Sequence, residues 1–272
     1  MNQPPIFIPT YGRSGKQVTF EQTKHLRPVL VVQERERHLY GRFPDVLTLP
    51  DDIRTVTPTR QWILEYAHKH ELGKIVMMDD DLRFFKRKEP TANTKLAFSL
   101  LNATRDEVTE MVELLCRWLD EVAHCGISSR EGNNRVEKEV VEATRMMRVL
   151  AYRVPTVMQI GARFDRLPLQ EDFDMTLQLL RAGYPNRISY LYGNGQATGS
   201  GAKGGCSHFR TKPMMEETAH KLAELHPGFV NVVKKTTKHS FDGGERTDVM
   251  IAWKKALASA RPATAPESSS HA

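Results

Sequence analysis

The chain is poor in cysteine and has no hydrophobic run long enough to cross a membrane. Its 272 residues contain three cysteines, Cys116, Cys125 and Cys206, and none of them belongs to a CxxC pair. This pattern predicts neither a disulfide framework nor a structural zinc site, and it favours a reducing compartment. The segment Met1–Pro5 also lacks the basic and apolar regions of a secretory signal peptide. We therefore expect a cytoplasmic protein that makes no contact with a membrane.

Two common nucleotide-binding motifs are missing as well. The sequence contains no GxxxxGK[ST] segment, and no GxGxxG segment follows its first predicted strand. The first absence argues against a P-loop NTPase and the second against a dinucleotide-dependent enzyme. No internal repeat is visible either.

Positive charge is in mild excess and is concentrated in three segments. Lysine and arginine number 39 against 33 acidic residues, which gives a net charge of +6. Such clusters favour a polyanionic partner, most simply nucleic acid, although solvated surface charge explains them equally well. The cluster members are Arg83, Lys86, Arg87 and Lys88, then Arg130, Arg135, Lys138, Arg145 and Arg148, and finally Lys234, Lys235, Lys238 and His239.

Strand and helix patterns alternate through the first eighty residues. Short apolar runs predict buried strands, and Thr57-Pro58 is a typical helix start. The alternation predicts an α/β fold with a mostly parallel, doubly wound sheet flanked by helices. The predicted strands are Pro5–Pro9, Pro28–Val32, Val46–Leu49 and 74–79, and the predicted helices are Lys16–Lys24 and Thr57–Gly73.

The remainder predicts a second half of the same domain, which spans 1–257 and precedes a disordered tail at 258–272. Residues 86–103 lack periodicity and predict a loop, and Gly193–Gly205, with six glycines in thirteen residues, predicts a second, flexible loop. Thr104 and Glu107 have the spacing of a capping box at the start of a long helix. The other predicted elements are strands at Val149–Val157, Ile188–Tyr192, Phe229–Val233 and Val249–Trp253, and helices at Glu171–Ala182 and Pro213–Leu225.

Three adjacent carboxylates, Asp79, Asp80 and Asp81, follow the apolar strand Ile75–Met78. Like charges at the end of a buried strand repel one another, so a cation is expected to offset them. In extended backbone the side chains of Asp79 and Asp81 would converge while Asp80 faces away. Oxygen ligands suit Mg²⁺ or Mn²⁺, whose coordination is usually completed by water and phosphate oxygens. We interpret the triplet as a metal site that binds a nucleotide diphosphate; a solvated acidic turn is the alternative.

A second acidic group, Glu171, Asp172 and Asp174, opens a predicted helix. Acidic residues in a first turn complement the helix dipole, and that explanation accounts for most such groups. Three carboxylates in four residues nevertheless exceed what capping requires. A carboxylate at a helix start is also well placed to act as a general base.

Smaller patterns supply further candidate residues. The turn after the first strand could stack Tyr11 on a nucleobase and direct Arg13 at a phosphate. Arg60 is either another phosphate ligand or a surface arginine. His208, after the glycine-rich segment, is either a metal ligand or a structural histidine.

Together these pieces resemble the GT-A glycosyltransferases, in the order Ile6–Arg13, Arg60, Ile75–Asp81 and Glu171–Gly183. The resemblance covers roughly residues 5–210. It implies a GT-A-like single domain that transfers sugar from a nucleotide sugar, typically a UDP-sugar, with inversion. It further implies that Asp79, Asp81 and His208 hold Mn²⁺ or Mg²⁺. The nucleotide sugar would be bound by Thr10, Tyr11, Arg13, Arg60, Asp79 and Asp80, and Glu171 and Asp172 would be catalytic, with Asp172 as the base.

Within that fold the chain is most similar to the TET-associated glycosyltransferases, which are encoded mainly by phages. The similarity implies a DNA acceptor that contains 5-hydroxymethylpyrimidines, and the basic clusters agree with a DNA partner. Three alternatives remain open. They are a glycosyltransferase with a non-DNA acceptor, a metal-dependent nucleotidyltransferase, and a DNA-binding protein without enzymatic activity.

Overall fold

A computed structural model of the chain describes residues 3–90, 98–196, 211–236 and 245–260. The strands within those ranges are β1 (Ile6–Pro9), β2 (Val29–Gln33), β3 (Val46–Leu49), β4 (Lys74–Met78), β5 (Leu82–Lys88), β6 (Ser99–Asn102), β7 (His124–Ser129), β8 (Val140–Glu142), β9 (Val149–Arg153), β10 (Asn186–Gln196), β11 (Val230–Thr236) and β12 (Glu245–Ile251). The helices are α1 (Val18–Thr23), α2 (Val56–Lys69), α3 (Arg105–Glu121), α4 (Val154–Ile160), α5 (Glu171–Arg181), α6 (Lys212–Leu225) and α7 (Trp253–Ala258).

Ten of these strands form one sheet in the order β3-β2-β1-β4-β9-β7-β10-β5-β6, with β8 paired to β10. Strands β5, β8 and β9 run opposite to the other seven, so most strands of the described sheet point the same way. The predicted α/β class with a mostly parallel sheet is therefore confirmed. Strands β4, β7 and β10 end at the same edge of the sheet, where ligands gather in open α/β folds.

Helices cover both faces of the sheet, because successive strand residues point to opposite sides. In β1, Ile6 and Ile8 belong to a core cluster with α1 and α3, whereas Phe7 belongs to a second cluster with α2, α4 and α5. Strand β4 alternates in the same way, with Val76 in the first cluster and Ile75 in the second. This is the doubly wound arrangement that the sequence predicts.

A third apolar cluster joins the outer face of α5 to the C-terminal elements. Leu177 and Leu180 of α5 pack with residues of α6, β11, β12 and α7. A buried hydrogen bond adds to this contact, between His226 Nε2 and Asp174 Oδ1, which lie 2.7 Å apart. The position of α5 is therefore fixed from both sides.

Most predicted elements are confirmed with small shifts of their ends. The capping box is present: Thr104 N–H donates to Glu107 Oε2 at 2.8 Å, and Glu107 N–H donates to Thr104 Oγ1 at 3.3 Å. Helix α2 begins at Val56 rather than Thr57. Among the described residues, every helix is too short or too polar to cross a membrane.

Three predictions are corrected. The interval 86–103 contains the end of β5 and all of β6, with 91–97 outside the described residues. The predicted loop Gly193–Gly205 begins within β10, whose pairing with β5 and β7 offsets the low strand propensity of glycine; residues 197–205 lie outside the described part. The strand predicted at Val149–Val157 ends at Arg153, because Pro155 suits the first turn of α4. Most of the predicted tail, 261–272, is likewise not described.

Candidate active site

The acidic triplet forms a turn between β4 and β5 that is held by side chains of α1. Thr19 Oγ1 donates to the carbonyl of Asp79 at 2.5 Å and accepts the N–H of Leu82 at 2.8 Å. Gln22 Nε2 donates to the carbonyl of Leu82 at 2.7 Å. Neither residue is predicted from the sequence to belong to the site. Their signal is weak: two polar side chains on the buried side of a short helix.

Replacing Thr19 by valine is expected to lower the free energy of unfolding by about 1–3 kcal/mol, because the N–H of Leu82 would lose its partner in a fully buried position. Denaturant unfolding of the Thr19→Val protein measures this change. The matched control is Thr48→Val on the exposed side of β3. Equal stability of the two variants would contradict the assigned role of Thr19.

The turn places Asp80 and Asp81 on the same arginine, so the expectation that Asp80 faces away is wrong. Arg13 Nη1 lies 2.5 Å from Asp80 Oδ1 and 3.1 Å from Asp81 Oδ2. Thr10 Oγ1 donates to the second oxygen of Asp80 at 2.7 Å. Burial raises the pKa of Asp80 to about 6, against the lowering effect of Arg13. The carboxyl group of Asp80 therefore anchors the β1 turn to the β4 turn.

Asp79 and Asp81 retain the features that a divalent cation requires. Asp81 Oδ1 is buried and has no hydrogen-bond partner, and the Asp79 side chain is 29% exposed. No group of three potential ligands is gathered within the described ranges, and the third predicted ligand, His208, lies outside them. Because Mg²⁺ is commonly held by one or two carboxylates together with water and phosphate, the two aspartates fit such an ion.

Arg60 joins the two acidic groups that the sequence analysis singled out. Its Nη2 lies 2.5 Å from Asp79 Oδ1, and its Nη1 lies 2.5 Å from Glu171 Oε1. Arg60 is 3% exposed, so it is not a surface arginine. Burial alone would lower the pKa of Arg60, but the carboxylates of Asp79 and Glu171 raise it above its usual value. The guanidinium therefore stays charged and links the end of β4 to the start of α5.

Asp172 lies beside this link at the first turn of α5. The residue is half-buried, and its Oδ1 accepts the N–H of Phe173 at 2.9 Å. Burial, with the neighbouring Glu171 carboxylate, raises the pKa of Asp172 to about 7. A carboxyl group with a pKa near neutrality accepts protons at physiological pH, which is the property of a general base.

The turn after β1 lies next to the acidic turn, because Arg13 contacts both Asp80 and Asp81. Gly12 adopts a φ of 64°, a conformation that favours glycine, and its N–H donates to Glu36 Oε2 at 2.9 Å. The Tyr11 ring is partly exposed, with the Arg35 guanidinium carbon 5.7 Å from its centroid. Thr10, Tyr11 and Arg13 therefore share one end of the sheet with Asp79.

Some residues of the basic clusters form hydrogen bonds and ion pairs within the protein, so they are not available to contact a polyanion. Arg87 is 7% exposed, and its guanidinium donates to Asn133 Oδ1 at 2.9 Å and to the carbonyl of Val136 at 2.5 Å. Lys86 Nζ lies 2.7 Å from Glu110 Oε2. Lys238 and His239 lie outside the described residues. Among the described residues, the members of the three basic clusters with exposed side chains are Arg83, Arg130, Arg135, Lys138, Arg145, Lys234 and Lys235.

The chain is similar to several known proteins. A curated relative, the Beta-glucosyl-HMC-alpha-glucosyl-transferase of Enterobacteria phage T2, is 27% identical over 241 residues, covering 81% of this chain and 80% of the relative. Similar solved structures include S. aureus TarS 1-349 in complex with UDP-GlcNAc, with 14% identity, a TM-score of 0.47, and coverage of 82% of this chain and 66% of that one. Another is CMP:2-keto-3-deoxy-manno-octonic acid synthetase complexed with CTP, with 15% identity, a TM-score of 0.42, and coverage of 69% and 89% respectively.

The family model described as TET-Associated Glycosyltransferase matches residues 4–205. This range includes the turn after β1, the acidic turn after β4, Arg60 and the start of α5. Since the match spans well over half of the chain, the protein belongs to the TET-associated glycosyltransferase family and is a glycosyltransferase.

Proposed function

We propose that this glycosyltransferase transfers a sugar from a nucleotide sugar to the hydroxymethyl group of a 5-hydroxymethylpyrimidine in DNA. The observation that carries the proposal is the Arg60 bridge, which brings the carboxylates after β4 to the acidic start of α5. Family membership supports a sugar transfer, and the name of the phage T2 relative supports a hydroxymethylcytosine acceptor.

Donor binding is assigned to the ends of β1 and β4. Tyr11 presents a partly exposed ring on which a nucleobase can stack. Asp79 and Asp81 would hold Mn²⁺ or Mg²⁺, which when bound neutralises charge on the departing diphosphate. The side chains of Thr10 and Arg13 are hydrogen-bonded to the carboxylate of Asp80. Their main contribution is therefore to orient Tyr11, Asp79 and Asp81.

Acceptor activation is assigned to Asp172. Its carboxylate would take the proton of the hydroxymethyl group as the oxygen attacks the anomeric carbon from the face opposite the leaving diphosphate. Glu171 does not compete for that proton in this arrangement, because its Oε1 accepts a hydrogen bond from Arg60. Because the attack comes from the face opposite the leaving diphosphate, the reaction proceeds with inversion at the anomeric carbon.

The rate of sugar transfer is expected to depend on pH through the protonation state of Asp172. Its pKa is raised to about 7, and only the deprotonated form can accept the acceptor proton. The value of kcat/KM should therefore rise with pH to a plateau, with a midpoint near 7, and fall below that midpoint as Asp172 becomes protonated. Initial rates between pH 5 and 9 provide the measurement. A flat profile across that interval would contradict the assignment of the base.

The test of function is mass spectrometry of nucleosides released from treated DNA. The protein is incubated with Mn²⁺, a panel of nucleotide sugars, and DNA containing hydroxymethylcytosine, hydroxymethyluracil or glucosylated hydroxymethylcytosine. The last substrate is included because the name of the phage T2 relative mentions a glucosyl-HMC acceptor. The expected result is one added sugar mass on hydroxymethylcytosine or hydroxymethyluracil, with release of a nucleoside diphosphate. Addition to the glucosylated nucleoside alone would indicate that the acceptor hydroxyl belongs to a sugar rather than to the pyrimidine.

The same experiment separates the alternatives. Hydrolysis of one nucleotide sugar without addition to DNA would retain the glycosyltransferase and indicate a different acceptor. Release of pyrophosphate would indicate nucleotidyl transfer instead. If the protein bound DNA equally well with and without the nucleotide sugar and Mn²⁺, and formed no product, it would be a DNA-binding protein without enzymatic activity. That result would contradict the proposal.

A further inference from the structure

A cavity of about 650 Å³ lies between β6 and the segment that follows β7. Its volume falls within the usual range for small-molecule pockets, about 300–1,000 Å³. One wall is apolar, and the other carries groups that form hydrogen bonds. The lining residues include Phe98, Ser99 and Leu100, on β6 and just before it, and Arg130, Glu131 and Asn134 after β7.

One wall of the cavity, formed by Arg130, Glu131 and Asn134, lies at the same edge of the sheet as the acidic turn. The other wall begins at the start of β6, where Ser99 pairs with Lys88 at the far end of β5. Strands β4 and β7 both run antiparallel to β9, so they end at the same edge. A short chain of contacts joins the first wall to the acidic turn. Asp79 N–H donates to the carbonyl of Arg148 at 3.0 Å, and Arg148 Nη1 lies 3.4 Å from Glu131 Oε2.

The cavity also opens on the face of the sheet that carries α5. Phe84 belongs to the core cluster with α1 and α3, so the next residue, Phe85, points to the opposite face. The Arg130 guanidinium lies over that ring, with its central carbon 4.4 Å from the centroid. The Arg130 side chain of the cavity therefore lies at the edge that carries the acidic turn and on the face that carries α5.

The walls of the cavity are held in place by buried contacts. Arg87 donates to Asn133 Oδ1 at 2.9 Å and to the Asn133 carbonyl at 2.6 Å, and its guanidinium carbon lies 3.7 Å from the Phe98 ring centroid. Asn133 in turn donates to Ser128 Oγ at 2.6 Å. These contacts preform the site, because they join its two walls through one buried arginine.

We propose that this cavity receives the acceptor pyrimidine after the base has rotated out of the DNA duplex. The proposal rests on the proposed function, and it identifies where the acceptor base binds. A base inside a duplex cannot reach the carboxylate of Asp172, so an enzyme that modifies it must extrude the base into a pocket. Such pockets stack the base on aromatic or guanidinium planes and contact its polar edge.

The lining groups match those requirements. Arg130 is exposed and planar, and Phe98 and Leu100 provide apolar contact for the ring faces. Glu131 receives hydrogen bonds from Ser129 and Arg148 at Oε2. Its other oxygen can accept a hydrogen bond from the amino group of cytosine, which uracil lacks. The cavity should therefore favour hydroxymethylcytosine over hydroxymethyluracil.

Fluorescence of 2-aminopurine tests the proposal without the donor. Duplexes carry one hydroxymethylcytosine or hydroxymethyluracil next to 2-aminopurine, whose emission rises when its neighbour leaves the stack. Wild-type protein should increase the emission of 2-aminopurine. It should also bind the hydroxymethylcytosine duplex more tightly than the hydroxymethyluracil duplex. The Arg130→Ala variant should bind about tenfold or more weakly and lose the emission change. Glu131→Gln should narrow the ratio of the two dissociation constants, because glutamine can also pair with uracil.

The control is Arg117→Ala, which removes an exposed arginine from α3 on the other face of the sheet and should leave binding and emission unchanged. Thermal melting confirms that each variant is folded. Binding by wild-type protein without increased emission would overturn the proposal, and so would unchanged affinity and emission in Arg130→Ala. Base extrusion that depends on Arg130, in a protein that adds no sugar with any donor, would support the cavity while refuting the proposed reaction.

Discussion

Replacing Asp172 by asparagine is expected to reduce kcat for sugar transfer by about 10²–10⁴-fold, the range that a positioned general base contributes. Asparagine has nearly the same shape and can still accept the N–H of Phe173, but it cannot take a proton from the acceptor hydroxyl. The fold should be retained, because Asp172 is only half-buried and makes no ion pair within the described residues. Single-turnover assays with hydroxymethylated DNA measure the chemical step directly.

The matched control is Asp120→Asn, which changes an exposed carboxylate near the end of α3, away from the strand ends that carry the site. Its transfer rate should equal that of the wild-type protein. Binding of the nucleotide sugar to Asp172→Asn should also persist, because the donor is assigned to β1 and β4. Near-normal turnover by Asp172→Asn would remove Asp172 from the mechanism.

Replacing Arg60 by methionine is expected to lower the free energy of unfolding by about 3–5 kcal/mol and to abolish transfer. The substitution removes the only partner that the structure records for Glu171 among the described residues, leaving a carboxylate that is 6% exposed without a counter-charge. It also releases the end of β4 from the start of α5, which separates the two halves of the site. Denaturant unfolding gives the stability change, and the transfer assay gives the activity.

A second substitution makes the cause testable. Arg60→Met combined with Glu171→Gln removes the uncompensated charge, so part of the lost stability should return while transfer remains absent. Arg37→Met, on the exposed segment after β2, is the control for loss of an arginine alone. If the double variant were no more stable than Arg60→Met, charge burial would not explain the loss.

The sequence was most informative where the signal is local. The alternation of apolar strands and amphipathic helices depends on neighbouring residues, and it predicted the α/β sheet and most of its elements. The acidic residues after β4 and at the start of α5 were also recognised from local patterns. Only the family resemblance predicted that these two acidic groups come together. The structure adds the contact itself, because Arg60 pairs with both Asp79 and Glu171.

The contacts that depend on distant residues could not be predicted. Arg60 pairs with a residue 111 positions away, and nothing in the spacing of either residue indicates that partner. The turn of the triplet differs from the extended backbone that the sequence predicts, because contacts with Thr19 of α1 impose its shape. The strand character of residues 193–196 depends on β5 and β7 on either side and outweighs the local glycine pattern.

The family match ends at residue 205. Part of the core that packs against α5, the helix that begins at Glu171, comes from residues beyond that point. Leu177 and Leu180 are covered by elements between residues 212 and 258, which follow the matched region. The position of α5 therefore depends on two parts of the chain. An exchange of domains between relatives would have to move the C-terminal helices and hairpin together with the sheet, or the start of α5, with Glu171 and Asp172, would lose its position.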